Sequence, residues 1–209
     1  MLRRHPAPAT LITCAAGTLP PLHRRVLAPH IADCPACRDG IRLGEALGGA
    51  LLEAAPPAAL AAEALSRALA RLDDGASEPI AARAPLPDPD PLATWTRGRR
   101  WRPLAVGIRL LPLVPRDATG TRLDLIRVAP GVALPQHDHR DRETTYVLAG
   151  AFVDLTGEYH AGDVAEGDAG LDHRPRAVAG GDCVCRIATT GGLRPRSLLA
   201  RLLRPIFGL

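Results

Sequence analysis

Two groups of metal-capable side chains stand apart in this chain. The first is His30-Ile-Ala-Asp-Cys34-Pro-Ala-Cys37. On a helix, positions i and i+4 share a face, so His30 and Cys34 project together and Cys37 follows Cys34 by i+3. Imidazole nitrogen and thiolate sulfur at such spacing suit tetrahedral zinc. A tetrahedral site needs a fourth donor: His5 in the N-terminal arm is a candidate, with Cys14, His23 and Asp33 as competitors. Such an ion would staple the arm to the helix, because metal-binding free energy becomes folding free energy, on the order of 10 kcal/mol in small zinc modules. A thioredoxin-type redox reading of Cys34 and Cys37 requires a preceding strand in a βαβ unit, and no such run is present.

The second group is longer. Gly131 is followed after five residues by His137-Asp-His139, then after three by Glu143 and after six by Gly150. On a strand the side-chain period is two, so His137 and His139 face the same way. Glu143 can reach the same point from the next strand, past a bend. His173, in Gly170-Leu-Asp-His173, completes a set of three histidines and one carboxylate, suited to Zn, Mn, Fe, Ni or Cu. A solvated, charged turn is the alternative reading of residues 137–143, and the glycines flanking it at these intervals argue against that. His160 sits beside a turn and reads as a surface histidine. Cys183 and Cys185 would share one strand face; we expect buried structural thiols, since a disulfide between such close neighbours is strained.

The elements that must position these groups divide the chain. Thr10 to Gly17, Pro21 to Cys37 and Ile41 to Ala54 read as helices; Pro56-Pro57 then opens a fourth with Leu60, Leu65, Leu69 and Leu72 near one stripe. Such Ala-rich helices build a thin core, and small domains of that kind often need a staple. Asp73 to Pro91 defeats helix and strand alike. Short β-type runs follow: Leu123 to Ala129, Thr144 to Leu148, Ala151 to Leu155 and Cys183 to Thr189. They predict an antiparallel barrel or sandwich. The expected fold is therefore a small all-α zinc-binding bundle (1–73), a Pro-rich linker (74–92) and an all-β domain (93–209) with a basic tail, Arg194 to Arg204, read as an amphipathic helix.

All 26 basic residues among the 209 are arginine, against 22 carboxylates. Residues 1–80 hold 8 Arg and 8 acidic groups, and residues 81–209 hold 18 and 14, so the net +4 belongs to the second half. That is short of a dedicated nucleic-acid binder. Trp95 and Trp101, interleaved with Arg97, Arg99, Arg100 and Arg102, lack a recognition motif, and we expect no direct DNA binding. The 46% apolar content excludes disorder throughout. No stretch approaches the roughly 20 apolar residues of a membrane span, and the proline-broken N-terminus is a poor signal peptide. We expect a cytoplasmic protein whose five cysteines are ligands or thiols rather than disulfides.

The second half resembles the cupin family, a small double-stranded β-helix barrel. Its first motif is matched from Gly131 to Gly150 and its second at Gly162, Gly170 and His173, with Asp168 in place of the usual proline and Ala177 in place of asparagine. The whole chain is similar to ChrR-type zinc anti-sigma factors: the early histidine, HIADCPACRDGIRLGEALGGALLE, LAGAFVDLTGEYHAGD and GDCVCRIATTGGLR carry the likeness. The resemblance implies one zinc on His5, His30, Cys34 and Cys37, and a second metal ion, again zinc, on His137, His139, Glu143 and His173. It also implies an extracytoplasmic-function (group IV) sigma factor as protein partner. The bundle would wedge between the two sigma domains and keep them from core RNA polymerase. The cupin would trigger release in response to singlet oxygen or peroxides, through its ligands or by binding a small oxidised ligand. The rival class is a metal-dependent cupin enzyme, a dioxygenase or isomerase, with open metal positions for substrate.

Overall fold

A computed structural model describes residues 3–73 and 96–195. Four helices come first: α1 (Pro8–Ala15), α2 (Pro21–Asp33), α3 (Pro35–Ala54) and α4 (Ala64–Asp73). The first three each open on a proline in the first turn, where the missing N–H has no intrahelical partner to lose. The helix expected from Pro21 through Cys37 is in fact two. Cys34 is extended (φ −104°, ψ 106°) because the residue before a proline is pushed out of the helical region, and Pro35 restarts the chain as α3. The fourth helix begins at Ala64 rather than at Pro56. Ala55 is extended ahead of Pro56, no residue there can cap a helix, and Leu60 lies before the first turn.

Eleven strands follow: β1 (Arg102–Ala105), β2 (Ile108–Val114), β3 (Thr121–Val128), β4 (His137–His139), β5 (Glu143–Ala149), β6 (Ala151–Asp154), β7 (Gly157–His160), β8 (Val164–Gly167), β9 (Arg176–Ala177), β10 (Cys183–Thr190) and β11 (Leu193–Pro195). They form antiparallel sheets in the orders β1-β2-β3-β10-β5-β8, β7-β6-β9 and β11-β4. All four strands expected from the sequence are present. The tail does not begin as a helix: Leu193 to Pro195 pair with His139 to His137 as strand β11, and Arg194 is therefore in a ladder. The expected linker, residues 74–92, and the remainder of the tail lie outside the described residues.

The central strands of the large sheet are covered on both faces, which explains why β3 is buried along its whole length except at Arg127. Ile108, Leu110, Ile126, Val128, Val147, Cys183 and Cys185 join Phe152 and Tyr159 of the small sheet in one core. Alternate residues of the same strands (Leu111, Leu123, Leu125, Tyr146 and Ala188) join Leu22, Val26, Leu27 and Ile31 of α2 in a second. Barrel and helices thus share a sheet as common wall. Each fully buried Leu or Ile there contributes about 1.5–3 kcal/mol. A polar group sits inside this interface: His23 of α2 is wholly buried, its Nδ1 2.8 Å from Thr144 Oγ1 and its Nε2 2.8 Å from Thr190 Oγ1.

Beyond Ile41 the helical part runs out of partners. Leu43, Leu47, Leu51 and Leu52 on α3, and Leu65, Leu69 and Leu72 on α4, are exposed, and no residue of α4 with a described side chain is buried. The thin core anticipated from composition is thus confined to α1, α2 and the start of α3. Among the described residues no helix is long and apolar enough to cross a membrane.

Candidate metal centres

The break at Cys34 builds the first centre. Two residues separated by a helix break, Cys34 at the end of α2 and Cys37 in the first turn of α3, turn their sulfurs toward His30 on the last turn of α2. The arm brings His5 to the same point. His5 Nδ1 lies 3.2 Å from His30 Nε2, 3.3 Å from Cys34 Sγ and 3.5 Å from Cys37 Sγ, and Cys37 Sγ is 3.3 Å from His30 Nε2. A tetrahedron with bonds of about 2.0–2.3 Å has edges of about 3.3–3.8 Å, so these separations fit one four-coordinate ion. The tautomer fits as well. His30 Nδ1 donates to the Gly162 carbonyl at 2.7 Å, which leaves Nε2 as a bare lone pair facing the other donors. Burial lowers the His30 pKa and keeps the ring neutral. Burial and the neighbouring Cys34 push the Cys37 thiol up to about 12, so a metal must displace its proton. Of the rival fourth donors, Cys14 is buried in the shared core and His23 lies at the barrel interface.

The second centre sits within the barrel. His137 and His139 on β4 face His173 across an isolated bridge between residues 137 and 173. His173 Nε2 is 3.0 Å from His139 Nε2 and 3.2 Å from His137 Nε2. His137 Nδ1 donates to the Pro135 carbonyl at 2.8 Å, and His173 Nδ1 donates to Asp154 Oδ2 at 2.9 Å. In the neutral ring each of these hydrogen bonds leaves the lone pair on Nε2, and two lone pairs that close repel unless a cation lies between them. Burial lowers the pKa of His137 and, with His173 beside it, takes that of His139 to about 4, so both rings are neutral, as ligands must be. These three nitrogens could hold a metal. Glu143, on β5, stands beside them: its Oε2 is 3.5 Å from His139 Nδ1, and its oxygens face Thr145 and Thr189 rather than the converging Nε2 atoms. Burial raises its pKa.

Sequence reasoning missed the groups that orient these rings. Asp154 is signalled only by its turn, where it also accepts from the Thr156 N–H and hydroxyl. Gly162 belongs to a motif spacing in the sequence, but nothing there places it or Asp163 beside the helical site. His160 is, as expected, at the surface, 3.1 Å from Glu158. Cys183 and Cys185 are buried with their sulfurs 3.6 Å apart, without a disulfide.

Fold and sites together define a class: a cupin-like barrel preceded by a helical module with its own His/Cys group that could hold a metal. Residues 90–191 match the family model described as the ChrR cupin-like domain. The anti-sigma-E factor ChrR of Cereibacter sphaeroides is 38% identical over 211 residues, covering 99% of this chain and 98% of that protein. The chain belongs to the ChrR family of anti-sigma factors. A crystal structure of Rhodobacter sphaeroides SigE in complex with the anti-sigma ChrR superposes with a TM-score of 0.66 at 37% identity, over 90% of this chain and 99% of that one. An acetylacetone dioxygenase from Acinetobacter johnsonii is far more distant, at 13% identity and a TM-score of 0.43 over 48% of this chain and 74% of its own. Membership in a family of regulators decides against the enzyme alternative.

Proposed function

We propose that this protein sequesters an extracytoplasmic-function sigma factor through its helical module and releases it when the cupin barrel meets an oxidant such as singlet oxygen or a peroxide. The observation that carries the reading is the exposed leucine surface of α3 and α4, which the protein's own core does not use. An apolar stripe of this size on a soluble protein is suited to partner helices. In this reading zinc occupies the His5, His30, Cys34 and Cys37 site and holds α2, α3 and the arm in the binding shape. A second ion, again zinc, occupies the barrel on His137, His139 and His173, with Glu143 turning its carboxylate in as fourth ligand. The ECF sigma factor of the SigE type, the partner in the related complex, is the class of protein to test.

The test is binding of the cognate sigma factor to Leu65→Asp and Leu69→Asp variants. Both residues are exposed, so the fold should survive, and complex formation should be abolished. Wild-type binding by both folded variants would sink the assignment.

A further inference from the structure

The N-terminal arm that carries His5 does not reach the helical metal site by contacts within the helices. It is laid against the barrel. Arg3 and Arg4 both donate backbone N–H groups to Asp163 Oδ1, at 2.8 and 3.1 Å. Val164 N–H donates to the Arg4 carbonyl at 3.2 Å, and Ala7 N–H donates to Glu166 Oε2 at 2.6 Å. The Arg4 guanidinium lies over the Tyr159 ring, 5.6 Å from its centre, and crosses Gly157 where any Cβ would collide with it. On the other side of the site, the Gly162 carbonyl holds His30 Nδ1. Asp163 is 1% exposed, and its second oxygen accepts from His160 N–H at 3.0 Å, so its carboxylate is fixed within the β7–β8 turn. One corner of the barrel, residues 162–166, therefore touches both histidines' supports: directly at His30, and through the arm on either side of His5.

We propose that this corner is the outer shell of the helical metal site, with Asp163 a positioning residue for His5 and Gly162 for His30. Metal occupancy and docking of the barrel on the helices are then linked, and by thermodynamic reciprocity each strengthens the other by the same factor. A disturbance in the barrel that shifts the β7–β8 turn loosens His5 and opens the site, which gives a physical route from the barrel to the sigma-holding surface. The inference rests on the reading that the four donors bind a metal ion.

Cobalt(II) reports this site selectively in the full-length protein, because a thiolate-to-cobalt charge-transfer band arises only where cysteine is a ligand, and the barrel centre has none. Asp163→Ala removes the acceptor. Arg3→Pro removes the 2.8 Å donor from the arm and leaves every barrel residue unchanged, so it remains decisive should the first variant fold poorly. Loss of such supports costs roughly 10- to 100-fold in metal affinity. We expect the cobalt titration to weaken at least tenfold in both. In the wild type, metal loading should slow hydrogen exchange at the Arg4 and Val164 amides. Wild-type affinity in a folded variant, or exchange unchanged on loading, overturns the proposal. Absence of the thiolate band in the wild-type protein overturns the metal reading itself, and the coupling with it.

Discussion

His23 Nδ1 lies 2.8 Å from Thr144 Oγ1, so a helix residue grips the strand position next to Glu143. Its Nε2 grips Thr190, next to Thr189 in β10, whose hydroxyl faces Glu143. The interface between helices and barrel is thus pinned one residue away from the barrel's metal-side wall.

That pin is sensitive to acid. Burial, followed by the Arg142 charge, lowers the His23 pKa from 6.5 to about 4, with Asp141 and Asp117 opposing weakly. The folded state therefore binds fewer protons than the unfolded chain between those values. Stability contributed by neutral His23 is present above pH about 6.5 and is lost as pH falls toward about 4, in total about 3 kcal/mol at 1.36 kcal/mol per pKa unit. Urea midpoints measured from pH 7.5 to 4.5 should fall more steeply for the wild type than for His23→Leu. Parallel profiles would remove His23 from this role.

Because one sheet serves both cores, helices and barrel should unfold together. Leu27, wholly buried in the shared core, should lose about 2–5 kcal/mol on Leu27→Ala. Circular dichroism and the near-ultraviolet aromatic signal should report a single coincident transition in wild type and variant. Two separated transitions would show that the shared wall does not couple the two parts.

The two centres should load independently in number though linked in energy. Metal analysis of the purified protein should give two ions per chain. Cys34→Ser should reduce this to one, and His139→Ala should remove the other, since each takes away a converging donor. Retention of two ions by either variant would rule out that site as a metal centre.

Position along α3 should separate stability from binding. Ile41 is buried and Leu51 is 65% exposed. Ile41→Asp should destabilise the protein by several kcal/mol through an unpaired buried charge. Leu51→Asp should change stability by no more than about 0.5 kcal/mol, yet weaken sigma-factor capture. Calorimetric unfolding alongside a binding titration measures both; equal capture by Leu51→Asp and wild type would remove Leu51 from the partner surface.

Ligand chemistry and helix starts were legible in the chain because both are local. Imidazole and thiol spacing announces a metal site, and Pro21 begins a helix where proline costs nothing; the starts expected at Thr10 and Ile41 fall instead at Pro8 and Pro35, where the same rule applies. Pro35 itself signals the break at Cys34, while the i, i+4 spacing of His30 and Cys34 favours one continuous helix. What could not be read was the packing of α2 on the sheet. Thr144, Thr190, Gly162 and Asp163 acquire their partners only through chain reversals more than a hundred residues long. The burial of β3 on both faces follows from the same long-range event. Glu143 was picked for its spacing, while the ring-orienting Asp154 was missed because its role depends on β6 folding over His173.

Among the described residues strand β4, which bears His137 and His139, has one full-length ladder, the pairing with β11, and one bridge on its other edge, at residue 173. Arg140 N–H is tied to Gly192 in the same stretch. Cutting the chain before residue 193 would strip that ladder and leave the two histidines held by the bridge at residue 173 and the Arg140–Gly192 bond. A metal ion held by these histidines would therefore depend on residues 193–195, which follow every one of its donors in the chain, and trimming past them would weaken binding there.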